Sequence, residues 1–64
     1  MKVKYDKEND IVVIVFSENK VVDSEERKPG LIFDVADDGS IVSIEVMNAS
    51  SQMTFPFKME YEVA

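Results

Sequence analysis

Along most of this chain the apolar residues recur with a period of two rather than 3.6. "MKVKY" places Val3 and Tyr5 on one side and Lys2 and Lys4 on the other. "IVVIVF", Ile11 to Phe16, is apolar at every position and mostly β-branched. That composition suits a central strand covered on both faces. The polar run "DKEND" between them reads as a turn, so residues 1–16 predict a hairpin. "SENK" is the next turn and "VVDSEER" a weaker, charged strand. "KPGL" then places proline and glycine at the two central positions of a type II turn. No window carries an amphipathic helix, and there is no repeat or linker.

The stretch "DVADDGSIVSIE", residues 34–45, admits two readings. It carries acids at its first and fifth positions, glycine at the sixth, isoleucine at the eighth and glutamate at the twelfth. That is most of a calcium-binding loop. The alternative is a hairpin turning at Asp38-Gly39, a pair favoured in the two-residue type I′ loop, where both residues need positive φ. Register separates the two. A turn there sets Leu31 opposite Val46, Phe33 opposite Ile44, Val35 opposite Val42 and Asp34 opposite Ser43. One face is then wholly apolar and the other mostly polar or small, and a slip of one residue would mix them. A calcium loop needs a ligand at its third position, where Ala36 offers none, and flanking helices where this chain has "LIF" and "IVSIEV". The pattern predicts a hairpin.

"MTFPFKMEYEV" alternates without a break, with Met53, Phe55, Phe57, Met59, Tyr61 and Val63 at the odd positions. It predicts a long strand with one apolar face. Pro56 lacks an amide donor and places that strand at an edge, or breaks it near its start. The preceding "NASSQ" reads as a turn or a short helical turn. The odd-numbered face, Phe55, Phe57, Met59 and Tyr61, either completes the domain's own core or serves as an interaction face, since Met, Phe and Tyr are enriched at interfaces. The whole predicts a mainly β fold: a small antiparallel up-and-down sheet of five or six strands, little or no helix, and a single domain over residues 1–64.

Composition narrows the chemistry. Sixty-four residues are near the lower limit for a domain without staples. The absence of cysteine excludes disulfides and thiolate metal sites, and it fits a reducing cytoplasm. The absence of histidine removes the commonest general base and metal ligand. "MKVKYDKEND" lacks the apolar core of a signal peptide, and no run approaches the ~20 apolar residues of a membrane span. The expected location is cytoplasmic, with no membrane partner. Net charge is −6, concentrated in residues 33–64, which hold one lysine against six acids. Beyond Arg27-Lys28 no cluster of cations is present to neutralise phosphates, so no nucleic-acid partner is expected. An acidic chain more readily meets a basic protein. A bare sheet with an all-apolar strand also leaves one apolar face in water, which argues for a homodimer.

Two acidic sets remain. In the hairpin register Asp34 and Glu45 are diagonal neighbours on the polar face, with Asp38 in the turn. They are the candidates for a weak divalent-cation site, or, further off, for the acid and base of a small hydrolase. A domain this small scarcely builds a sugar-sized cleft, and a solvated or salt-bridged acidic face is the plainer reading, with Lys2 and Lys4 as cross-strand countercharges. Tyr5-Asp6 and Asp10 are expected to shape the first turn. The serines have no base to activate them. No catalytic residue, metal or cofactor is assigned, and no enzyme activity is expected.

"YD" at 5–6, Asp10 before an apolar strand, and "LIFDVADDGSIVSIEVMNAS" resemble a family of short bacterial and archaeal proteins catalogued only as a domain of unknown function. The resemblance rests on Asp34, Asp38, Gly39, Ile41, Ile44, Glu45, Ala49 and Ser50 and covers roughly residues 1–50. Ala36 and Ser43 depart from it, where the family often has an acid and a glycine. It implies a small sheet-rich fold and no established activity. Some relatives lie beside genes for small toxin-like proteins, so it also suggests an antitoxin-like role with a toxin-like partner.

Overall fold

The computed structural model describes residues 1–64. Five antiparallel strands form one sheet: β1 (Lys2–Asp6), β2 (Ile11–Val15), β3 (Asp23–Lys28), β4 (Leu31–Val35) and β5 (Ile41–Met47). A single helical turn, α1 (Ala49–Gln52), follows. The mainly β expectation holds. The strand order is β1-β2-β5-β4-β3, which departs from a pure up-and-down meander at one connection. Residues 16–22 carry the chain from β2 to the far edge, and β5 returns between β2 and β4. The centre therefore belongs to β5, with β2 second from the edge. Matching rows explain it: Val46 and Ile44 lie opposite Val12 and Ile14 on one side and opposite Leu31 and Phe33 on the other. One strand serves two apolar neighbours.

The hairpin over residues 31–46 has the predicted register from Leu31↔Val46 through Asp34↔Ser43. Its turn differs. Val35 pairs with Ile41 across a register shift, so Val42 is the extra residue of a bulge rather than the partner of Val35. The Gly39 amide donates to the Ala36 carbonyl (2.9 Å) and the Ala36 amide to the Ser40 carbonyl (2.9 Å). Gly39 has φ 84°, whereas Asp38 is not left-handed. This is a three-residue loop closed by a left-handed glycine, not a two-residue type I′ loop. Asp38 supports this turn from within: its carboxylate accepts from the Ser40 amide (3.0 Å) and hydroxyl (2.6 Å) across Gly39. At the other turn Gly30, with φ 81°, sits where a β-carbon would lie 3.1 Å from Gln52 Nε2. The Gln52 side chain donates from that position to the Met47 carbonyl (2.7 Å), tying α1 to the sheet.

Strand alternation sorts the side chains into two faces. On the apolar face, Val3, Ile14, Ile44 and Phe33 form one cross-strand row, and Tyr5, Val12, Val46 and Leu31 another. The opposite face holds the rows Lys4, Val13, Glu45, Ile32 and Val15, Ser43, Asp34, Ser24. Packing between elements is dominated by neighbouring strands, and each face is covered only locally, over Val12 on the apolar side and over Asp34 and Ser43 on the other. Six residues are buried: Val12, Ala36, Val42, Ala49, Asp34 and Ser43. Ile11, Val13, Ile14 and Val15 are only half-buried, so β2 is not the doubly covered strand its composition suggests.

The strand predicted over residues 53–63 is absent. Phe55 instead folds onto Tyr5, ring centroids 4.9 Å apart, and Phe57 packs edge-on against Phe55 at 5.4 Å. Pro56 offers no ladder donor, and residues 54–64 make no backbone hydrogen bond to any strand. The alternation in burial survives through Phe57 and then ends, with Met59, Tyr61 and Val63 exposed.

Candidate functional site

The middle of the polar face carries an aspartate that is 6% exposed. A buried carboxylate is tolerated only when its oxygens are satisfied, and Asp34 is. Its Oδ1 accepts from the Ser24 hydroxyl of β3 (2.7 Å) and its Oδ2 from the Ser43 hydroxyl of β5 (2.6 Å). The cross-strand row Ser43–Asp34–Ser24 makes this geometry possible, since all three side chains leave the sheet on the same side. Burial works to raise the Asp34 pKa. The hydroxyls of Ser43 and Ser24 and the Glu45 carboxyl outweigh it and hold Asp34 below the ordinary aspartate value. Glu45, the diagonal neighbour, moves the other way. Its hydrogen bond to Asp34, burial and repulsion from the Asp34 charge all raise it. Asp34 is therefore the acid of the pair that gives up its proton first, and Glu45 the one that holds its proton to higher pH.

This arrangement brings together two of the three acids predicted as cation ligands. Asp38 stands apart in the turn, occupied by Ser40, and no group of three or more potential metal-ligating side chains forms. Hard divalent cations take six or more oxygens, whereas both Asp34 oxygens are already engaged by hydroxyls. The expected countercharges are not in place either. Val13 separates Lys4 from Glu45 in its row, and the ion pairs present are Arg27–Glu25 and Lys58–Glu60. The serine hydroxyls stabilise the Asp34 charge by hydrogen bonding instead. No concavity surrounds the pair. The two cavities, of about 510 and 340 Å³, are lined by Asn19, Lys20, Val22 and Ala36–Asp38, and by Met1, Lys2 and Val15–Glu18.

A second network explains the acids near the first turn. Asp10 adopts φ 57° and faces α1. Its carboxylate accepts from the Tyr5 hydroxyl (2.9 Å), the Ser50 amide (3.0 Å) and the Ser50 hydroxyl (2.7 Å). The Asp10 carbonyl accepts from the Ala49 amide (2.9 Å). Ser50 chiefly, with Tyr5, lowers the Asp10 pKa against some desolvation, and the same bond raises that of Tyr5. Asp6 closes the turn by accepting from the Asn9 amide and side chain (3.1 and 2.9 Å). Tyr5, Asp6, Asp10, Ala49 and Ser50 thus form a joint that fastens α1 to the first hairpin. The contact from Asp10 to Ser50 spans forty residues, so sequence reasoning had no local signal for it. The Asp34–Ser43 contact was legible, because the hairpin register sets them opposite.

Of the predicted interaction face, Phe55 is half-buried against Tyr5 and Phe57 against Phe55, whereas Met59 and Tyr61 are exposed. Arg27, which the sequence singled out only as a cation, lies over the Phe33 ring at 4.4 Å. It covers one end of the apolar face with its planar guanidinium.

Fold and site together define a small antiparallel β domain of one five-stranded sheet, with a hydroxyl-bound aspartate and its glutamate neighbour embedded in one face. The chain belongs to a protein family of unknown function (DUF2283), whose pattern matches residues 2–50. The match takes in the whole sheet, the acid pair and the Asp10 joint, and it stops before the exposed segment. No match was found among curated proteins or among solved structures. No helix is long and apolar enough to cross a membrane.

Proposed function

We propose that this protein is a protein–protein interaction module that works as a homodimer joined through its apolar sheet face. The observation that carries the reading is surface. The chain exposes 5131 Å², against about 4200 Å² for a compact monomer of its mass. The surplus is comparable to the ~800 Å² that each partner buries in a standard interface. The apolar face supports the reading, since the row Val3, Ile14, Ile44, Phe33 is only half-buried and Met59, Tyr61 and Val63 are exposed. Packing two such faces about 10 Å apart gives a sandwich core from chains that cannot build one alone. The acidic face then remains outward. Its charge suits a basic protein partner, and the family resemblance suggests that this partner is toxin-like and the role antitoxin-like.

Sedimentation at micromolar concentration tests the dimer: a mass near twice 7.3 kDa is expected. Ile14→Glu, at the middle of the apolar face, is expected to shift the protein to monomer while strand content by circular dichroism persists. A wild-type mass of one chain at every concentration would sink the reading.

A further inference from the structure

The outer edge of β1 and the segment after Phe57 complement one another, and neither has a partner within the chain. β1 ends the sheet and pairs only with β2, so it presents unpaired backbone donors and acceptors. Residues 54–64 make no backbone hydrogen bond to any other part of the chain. Their alternation is that of a strand, yet Tyr61 is 87% exposed. Set antiparallel with Glu60 opposite Lys4, the two sequences agree at every position. Lys58 meets Asp6 and Glu62 meets Lys2 on the polar face, while Met59 meets Tyr5 and Tyr61 meets Val3 on the apolar face. Opposite charges and apolar pairs directly across a ladder are the favourable ones. Sliding this pairing by two residues sets Lys58 against Lys4 or Glu60 against Asp6, so charge fixes the register.

The position of the segment says whose edge it reaches. Tyr5 leaves β1 on the apolar face, and Phe55 and Phe57 stack outward from it. Beyond Phe57 the segment makes no backbone hydrogen bond to its own β1 edge, although the two sequences match. A second copy packed on the apolar face brings another β1 edge beside it. We propose that residues 58–63 add to the β1 edge of the second copy as a sixth strand, and that the partner returns the same exchange. The proposal rests on the dimer described above and adds to it a strand swap by β-augmentation. The family match ends at residue 50, before this segment.

Charge reversal tests it on the full chain, with hydrogen exchange read over residues 58–63 and mass read by sedimentation. In the wild type, alternate amides of the segment are expected to exchange about tenfold or more slowly than free peptide. Lys2→Glu/Lys4→Glu and Glu60→Lys/Glu62→Lys each set like charges across the ladder and should abolish that protection. Mixing the two variants in equal amounts should restore it, because each β1 then meets a segment of opposite charge on the other chain. A mixture that stays unprotected, or protection in a wild-type monomer, overturns the exchange between copies. A wild-type dimer with a freely exchanging segment overturns the swap alone and leaves the dimer standing. A wild-type monomer without protection removes both.

Discussion

Asp34 and Glu45 show how a buried acid pair is kept in so small a protein. Each Asp34 oxygen has a hydroxyl, and the repulsion that remains falls on Glu45, whose pKa it raises. Ser43 is buried with its hydroxyl on the charged carboxylate, so Ser43→Ala is expected to destabilise the fold by about 1.5–3 kcal/mol. Ser24, on an exposed edge strand, should matter less, and chemical denaturation of both variants checks the ranking. The pair also fixes a pH dependence. Glu45 binds its proton more tightly folded than unfolded, so its contribution is complete below the ordinary value of 4.5 and is lost as pH rises through the raised folded value. Asp34 acts oppositely: its contribution is present above 3.8 and is lost as pH falls through the lowered folded value. Glu45→Gln keeps a donor without the titration. It should flatten the decline in denaturant midpoint above pH ~4.5, and an unchanged slope would mean that Glu45 does not bind its proton more tightly in the fold.

At the scale of elements the turns and the Asp10 joint decide the result. Gly39 is left-handed with open space around it, so a substitution there meets backbone strain and no clash. Gly39→Val should cost more than about 1 kcal/mol, because a β-branched residue resists positive φ, and Gly39→Asn much less. Equal stability of the two variants would contradict the left-handed turn. Asp10→Ala removes the acceptor of three bonds at a left-handed position. The expected outcome is loss of α1, read as fast exchange of the Ser50 amide, with the sheet retained. The predicted strand after residue 53 fails at this same scale. Alternation specifies which side chains share a face, but a strand also needs a neighbouring ladder, and Phe55 and Phe57 carry the chain off the sheet onto Tyr5.

The whole molecule is one layer. Most of its apolar side chains are half-covered rather than buried, and such a sheet gains little by itself against the entropy of ordering its chain. A denaturant midpoint that rises with protein concentration is therefore expected, since association and folding are linked. A midpoint independent of concentration would mean that the single layer is self-sufficient.

The period-two pattern by itself determined the β class, the first hairpin, the sorting of Leu31–Val46 into an apolar and a polar face, and with it the meeting of Asp34 with Ser43 and Glu45. These are local consequences of alternation and of turns that join neighbouring strands. Only the tertiary structure decided that β5 rather than β2 takes the centre, because the pattern of a strand fixes its faces and not its neighbours. It alone joined Asp10 to Ser50, and it alone left residues 58–64 without a ladder. Those outcomes depend on which edges are brought together in space, and a one-dimensional pattern carries no information about edges.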